Sequence, residues 1–493
     1  MSLRERPNHS RFHASLRRAV KSLCVVIVGL SLVMTPGKAI QNTRPISYDD
    51  LPAELSGWLN QQGVNRENFA ARISAIRRQT EERERIGEFD HLIFYLLQSS
   101  RFTELARIEP ALSAYELVHS LGEIDRAKFL AEGSVFVPSS DKIPKTAKAR
   151  INQFIAALKA NRKRDDERLN YFDNLLRKTT SPILPILNVE TLLSAEYLRA
   201  MRFLYRKEFA SRSIKPEDLA AYVASLYQTR GHSTDTQIEA NFVIHQALQV
   251  VKFSSPQTKL NQVLIVGPGL DFAPRTDLID LFGPQSYQPF AVADSLLSLK
   301  LAEETKLQIH CVDINDRVIA HLQNLRQRSE IRLSILSGVK ESAAHPIVDE
   351  YRNYFLNFGK SVGIESKLAV PDSFSAHLSK SLRIRREVVQ AISAHRLNIV
   401  TERFADSLRF DLVIVTNVFP YFSPSELLFA LTNISAMTAT DGYLIHNELQ
   451  TVPSNFVNAL GLPLRQARTV MITSDKAAPL FDGVAIHQKT PRL

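Results

Sequence analysis

Two periodicities divide the chain. From Ile40 to about residue 250, apolar residues recur at three- and four-residue spacing, as in Ile151, Phe154, Ile155 and Leu158, or Leu193, Tyr197, Met201 and Leu204, with few glycines between them. That is the period of helices burying one face, and it predicts an all-α domain over 40–253. Pro216 followed by Glu217 and Asp218 predicts a helix start, because proline's missing donor and acidic side chains both suit a first turn; the helix should run through Leu226. Phe136 to Pro144, with two prolines and Ser-Ser-Asp, predicts a loop, and Ser254, Ser255 and Pro256 end the helical text.

Beyond that break the pattern changes to short apolar runs that stop on a polar residue and lead into helical text. Asn261 to Gly269 ends on a glycine pair, Leu307 to Val312 on Asp313, and Phe410 to Val415 on Asn417. Strand, polar end, helix, repeated, predicts an α/β domain over 254–493: a Rossmann-like parallel sheet with its ligand at the carboxyl ends of the strands. A helix from Ser423 to Met437 and a strand from Asp441 to His446 follow, and the runs Arg468 to Ile472 and Val484 to His487 predict a closing hairpin.

Residues 1–39 differ in kind. Six basic residues from Arg4 to Lys21 precede an apolar run, Leu23 to Met34, and small residues Gly37 and Ala39 stand at cleavage spacing. This predicts a secretory signal cleaved after Ala39, hence a periplasmic or secreted chain with no membrane span once it is removed; the alternative is an inner-membrane anchor formed by residues 23–34. The composition, 44% hydrophobic and 23% charged, is that of a globular protein. The net charge of +10 invites a nucleic-acid reading, but residues 1–39 hold +6 of it, and the +4 left is weak evidence for any polyanionic partner. Of the two cysteines, Cys24 leaves with the signal, so Cys311 has no internal disulfide partner and reads as a small buried hydrophobe. No His or carboxylate spacing suggests a metal.

The glycine turn has its own chemistry. Gly267 and Gly269 let a ligand approach bare backbone, and Pro268 between them stiffens the loop. The same glycines would also serve a purely steric turn. Asp313, at the end of the second strand, is where such a sheet places the carboxylate that accepts both ribose hydroxyls, and equally where a side chain caps the next helix. A nicotinamide-binding fingerprint would need a third glycine and an acid about twenty residues on; Leu270, Asp271 and Phe272 follow instead, and Asp313 lies further along. The charge-rich stretches Arg77 to Arg85 and Lys159 to Arg168 read as solvated helix faces.

A parallel sheet finished by a hairpin is similar to the class I S-adenosylmethionine-dependent methyltransferases, and the resemblance covers about the last half of the chain. Within that class the chain resembles the CheR-type protein-glutamate methyltransferases: Asn417-Val418-Phe419-Pro420-Tyr421-Phe422 looks like their Asn-Val-x-x-Tyr-Phe, His446-Asn447-Glu448 like their His-Ser-Glu, and Asp313-Ile314 like their Asp-Ile. Tyr351 to Asn398-Ile399 resembles their insertion ending in an Asn-Leu pair. The resemblance implies S-adenosylmethionine as cofactor, with Asp313 on the ribose, Asn398 and Ile399 flanking adenine, Asn417 lining the methionine end, and Tyr421 near the transferring methyl. Gly267, Pro268, Gly269 and Ile314 complete the cofactor set. The acceptor would be a protein carboxylate or a small molecule.

Two departures stand against this. Where the family has Gly-Glu-Glu-Pro-Tyr-Ser, the chain has Ser286 to Ala291 and lacks the cofactor-contacting carboxylate, for which Asp271 or Asp294 could substitute; and the arginine before Asn-Val is Thr416. The donor is also made in the cytoplasm, which the amino terminus directs the chain out of. The rival reading is therefore a non-catalytic envelope binding or scaffold protein that keeps the fold, with Tyr421 and Phe422 as packing aromatics and His446 and Glu448 as surface polars.

Overall fold

The computed structural model describes residues 43–160, 167–179, 187–271, 282–405, 408–449, 451–475 and 479–490. The expected signal, Cys24 and Phe272 lie outside them. Among the described residues the helices of eight residues or more are α1 (Phe69–Gln98), α2 (Pro110–Ser120), α3 (Glu123–Leu130), α4 (Lys145–Lys159), α5 (Glu167–Thr179), α6 (Leu187–Glu208), α7 (Pro216–Thr229), α8 (Ile238–Ser254), α9 (Gln288–Ser298), α10 (Asp316–Leu325), α11 (Asp349–Asn357) and α12 (Pro424–Met437). None is long and apolar enough to cross a membrane. The strands are β1 (Thr43–Pro45), β2 (Gln262–Val266), β3 (Gln308–Asp313), β4 (Ile331–Lys340), β5 (Gly363–Ser366), β6 (His377–Ile384), β7 (Ile392–Arg396), β8 (Glu402–Phe404), β9 (Phe410–Val415), β10 (Thr438–His446), β11 (Leu464–Met471) and β12 (Phe481–Gln488).

Seven strands form the main sheet in the order β11-β12-β10-β9-β2-β3-β7. The five from β10 to β7 are parallel, and the antiparallel hairpin β11/β12 closes the sheet against β10. This is the expected Rossmann-like sheet with its hairpin. Its chain order reverses between β2 and β9, the point where a doubly wound sheet opens a crevice at its strand ends. Both faces are covered, which is why the central strands read as unbroken Val, Ile and Leu. Val263, Ile265, Ile309, Cys311, Leu412 and Ile414 join one core, whereas Leu264, Val266, Val312, Val413 and Val415 join the other with Phe429 and Leu431 of α12. Cys311 is fully buried, and burial holds its thiol protonated.

The helical text is helical: Ile151 and Phe154 of α4 and Leu193, Tyr197 and Met201 of α6 are buried in the first core together with strand residues. Helices and sheet belong to one compact unit, Thr43–Leu493. α7 begins at Pro216 as expected and runs to Thr229.

Three features differ from the sequence reading. The region expected to be all-α begins with the strand β1, which pairs antiparallel with β8. Between β3 and β7 stands a second sheet, three antiparallel strands in the order β4-β6-β5. Its signal was the alternation of Ile331, Leu333, Ile335 and Val339 inward along β4. β7 itself, the strand bearing the loop to Asn398, was not read as a strand because Ser393 and His395 interrupt its apolar pattern; both are half-buried and hydrogen-bond each other at 3.1 Å.

Candidate functional site

The carboxyl ends of β2, β3, β7 and β9 surround a cavity of about 110 Å³. Gly267, Gly269, Asp313, Ile314, Asn398, Ile399, Asn417 and Tyr421 line it together. Pro268 is buried and is not in the lining.

The turn after β2 needs its glycines. Gly267 and Gly269 have φ of +67° and +74°, and a Cβ at the first would meet Val418 Cγ2 at 2.7 Å while one at the second would meet Thr236 Cβ at 2.8 Å. The turn is pinned at each end, by Gly267 N–H to Val312 O at 2.8 Å and Leu270 N–H to Thr234 O at 2.7 Å. Backbone therefore forms this part of the wall.

Asp313 ends β3 with its Oδ1 accepting the Asn315 N–H at 2.9 Å. Burial pushes its carboxyl up to about 6, against the lowering effect of that N–H. Asn315, not Asp313, caps α10, its side chain accepting from Arg317 N at 2.9 Å. The capping alternative therefore falls to the neighbour. Beside Asp313 the lining is apolar: Ile314, Leu397, Ile399 and Val400. Asn398 is engaged within the protein, its Nδ2 donating to Thr80 Oγ1 at 3.3 Å and its Oδ1 accepting Val400 N–H at 3.1 Å. It shapes the slot through these bonds.

Asn417 has φ of 57°, a strained value for a residue with a side chain. Asn447 holds it there from both sides, accepting the Asn417 N–H on its Oδ1 and donating Nδ2 to Asn417 Oδ1, each at 2.9 Å. Tyr421 follows on a short 3-10 turn, Phe419–Tyr421. Its Oη accepts Ser233 N–H at 3.3 Å, its ring meets His232 and Tyr227 edge to face at 5.3 and 5.7 Å, and burial raises its phenol above the ordinary range. Tyr421 is thus a wall of the cavity, and its packing and its exposure to the cavity coexist.

The opposite wall comes from the helical half, which held no recognised site residue at the level of sequence. Thr80 and Arg83 of α1 and the strap His232 to Asp235 line the same cavity. The strap crosses α1 where glycine meets glycine: a Cβ on Gly87 would lie 1.8 Å from His232 O, and one on Gly231 2.2 Å from Gly87 N. His232 N–H donates to Arg83 O at 2.9 Å at this crossing. Arg83, read as part of a solvated face, is buried. One turn on, Glu88 receives Asn315 Nδ2 at 2.6 Å and pairs with Arg317 at 2.8 Å, tying α1 to the loop after Asp313. The contacts of Arg83 reach residues up to 338 positions away, so no local pattern announces them.

The two departures from the CheR pattern meet one another. Gln288 Nε2 donates to Thr416 Oγ1 at 2.8 Å, both residues being buried. The missing acid and the missing base thus leave a satisfied neutral pair. Neither suggested substitute lines the cavity: Asp271 accepts Tyr287 Oη–H at 2.8 Å, and Asp294 accepts Ser361 N–H at 2.8 Å. Tyr287 and Phe290 are buried in the first core and do not fill the cavity. His446 is buried, contrary to its surface reading, and is stacked on His487. The order of donors is fixed: His487 Nδ1–H donates to Leu462 O at 2.9 Å, so His446 Nε2–H donates to His487 Nε2 at 3.0 Å and His446 Nδ1 accepts Glu448 N–H at 3.2 Å. Burial pushes the half-buried Glu448 carboxyl up to about 7.

No protein-family model matches this chain, and no curated protein sequence does. Among solved structures it is similar to the N-methyltransferase NodS from Bradyrhizobium japonicum WM9 in complex with S-adenosyl-L-homocysteine, at 12% identity over 51% of this chain and 88% of that one, with a TM-score of 0.26. It is also similar to the glycopeptide N-methyltransferase MtfA complexed with S-adenosyl-L-homocysteine (7% identity, 50% and 86% covered, TM-score 0.26) and to magnesium protoporphyrin IX methyltransferase from Synechocystis PCC 6803 with bound SAM (8%, 55% and 97%, 0.27). These neighbours are methyltransferases. TM-scores this low carry no weight for function, and the sheet is assigned from its own strand order.

Proposed function

We propose that the chain is an S-adenosylmethionine-dependent methyltransferase whose donor occupies the strand-end cavity, and that its acceptor is a carboxylate, as in the CheR-type enzymes. One observation carries the reading: eight of the nine residues chosen from sequence for that cofactor and its transfer line a single cavity. The cavity also fits the group chemically. It offers a glycine turn that any Cβ would fill, a carboxylate at the end of the second strand, and an apolar slot beside it.

Bound S-adenosylmethionine supplies a methyl already activated on a sulfonium, so the protein has to align and desolvate the partners more than to supply a base. Asp313 accepts the ribose hydroxyls, and Ile314, Leu397, Ile399 and Val400 enclose the flat base. The Gly267–Gly269 backbone and Asn417 border the amino-acid part. Tyr421 borders the acceptor, and the strap excludes water. A carboxylate acceptor is already a nucleophile near neutral pH and needs no proton removed.

Calorimetry on the full chain tests this. S-adenosylhomocysteine is expected to bind, Asp313→Ala to weaken it by about 2 kcal/mol or more, roughly thirtyfold, for the loss of charge-assisted hydrogen bonds, and NAD to give no heat. Absence of binding at millimolar S-adenosylhomocysteine, or equal binding by Asp313→Ala, would refute the proposal.

A further inference from the structure

Asn417 lines the cavity with φ of 57° although it is exposed, so hydrogen bonds more than packing have to hold it in that strained conformation. Its support is Asn447, which is buried and bonds it from both sides at 2.9 Å. A side-chain amide has two N–H hydrogens and one carbonyl. Asn447 uses its carbonyl and one N–H on Asn417. The other N–H points away from the cavity, to Asp482 Oδ2 of β12 at 3.1 Å.

Asp482 is itself fixed. Its Oδ1 accepts the Gly483 N–H at 2.8 Å, and β12 presses on the segment after β10: a Cβ on Gly483 would meet Leu449 Cδ1 at 2.6 Å and Asn447 O at 3.7 Å. Each oxygen of Asp482 therefore faces an N–H, and a carboxylate accepts at both ends where an amide accepts at only one. This gives the Asn447 amide a single orientation. Turned over, it would set its oxygen against Asp482 Oδ2 and Asn417 Oδ1, and its N–H groups against the Asn417 N–H. Burial raises the Asp482 carboxyl above its ordinary 3.8, against the lowering effect of the Asn447 and Gly483 N–H groups. Burial, with the charge of Asp482 added, raises Glu448 to about 7.

We infer that Asp482 is a positioning residue for the donor: through Asn447 it holds Asn417 in the conformation that borders the donor's amino-acid end. The inference rests on the methyltransferase reading, which runs that end along Gly267–Gly269 and Asn417. The hairpin that closes the sheet thereby also sets the cavity wall, through a relay of side chains from β12 across the end of β10 to the end of β9.

Calorimetry on the full chain at about pH 8, above the range of both acids, tests this. S-adenosylhomocysteine carries the amino-acid end, and 5′-methylthioadenosine is the same nucleoside without it. Asp482→Ala is expected to weaken S-adenosylhomocysteine about tenfold and to leave 5′-methylthioadenosine within about twofold, and Asn447→Ala to do the same. In the Asn447→Ala background, Asp482→Ala should change S-adenosylhomocysteine by less than about twofold, because its path to Asn417 is already cut. Asp482→Asn keeps the size and one of the two acceptors, so it should fall between the wild type and Asp482→Ala. It also carries the comparison if circular dichroism finds Asp482→Ala unfolded. Equal weakening of both nucleosides in a folded variant marks a merely structural aspartate and overturns the inference, as does unchanged S-adenosylhomocysteine binding, or full multiplication of the two losses in the double variant. A wild-type chain that binds neither nucleoside refutes the methyltransferase reading itself, before any variant is made.

Discussion

Asp313 is the residue whose charge state and task are linked. A carboxylate that accepts two hydroxyls has to be ionised, and burial places its pKa at about 6, so affinity for S-adenosylhomocysteine should rise with pH and level off above neutrality. Between pH 7 and pH 5 the expected loss is about tenfold, one proton's worth, and Asp313→Asn should show a weak but flat profile. A wild-type profile just as flat would remove Asp313 from the binding step. The stability effect has the opposite sign. An acid raised from 3.8 in the unfolded chain to about 6 in the fold makes the native state bind more protons in that window, so its contribution to stability is lost as pH rises through about 6. At this scale the sequence was legible where backbone rules act: a glycine that needs positive φ and an acid at a strand end are local signals. Arg83 and the Thr80 partner of Asn398 were not, because each meets its contact over more than three hundred residues.

The α1–strap crossing is the corresponding feature among elements. A glycine in a 30-residue helix reads as a weak point, and its reason lies in another segment, since Gly87 and Gly231 permit backbone contact that no side chain could share. Gly87→Ala should cost about 3 kcal/mol through forced displacement of the strap, read by urea denaturation, and should weaken S-adenosylhomocysteine as His232 to Asp235 shift. Gly57→Ala, where a Cβ meets nothing within 4 Å, should be neutral or stabilising by up to about 1 kcal/mol, as alanine generally is in a helix. Equal stability of the two variants would contradict the crossing. Periodicity predicted α4, α6 and the strands β2, β3, β9 and β10, because each buries a continuous face, whereas α7, with only Leu226 buried, was legible from its Pro216 start. Periodicity missed β7, whose polar residues satisfy one another, and the inserted β4-β6-β5 sheet, whose alternation was present but went unread.

For the whole molecule, strand order is the decisive fact, and order is what a sequence without pairing information cannot give. β11 and β12 follow β10 in the chain, yet β12 alone pairs with β10, and β2 comes to lie between β3 and β9 only after nearly 150 residues. The sequence reading supplied a parallel sheet finished by a hairpin, which the sheet is, but no order for its strands. The helical half, expected as an all-α domain and given no site residue from sequence, shares a core with the sheet and contributes Thr80, Arg83 and the strap to the cavity. The cavity is therefore a joint product of both halves.

The most direct test of the central claim is a crystal structure of the full chain grown with saturating S-adenosylhomocysteine. The account predicts the adenosyl group in the slot of Ile314 and Ile399, both ribose hydroxyls on the Asp313 carboxylate, and the amino-acid end along Gly267 to Gly269 toward Asn417 and Tyr421. Ligand bound elsewhere on the molecule, or a strand-end cavity left without ligand at saturation, would contradict it.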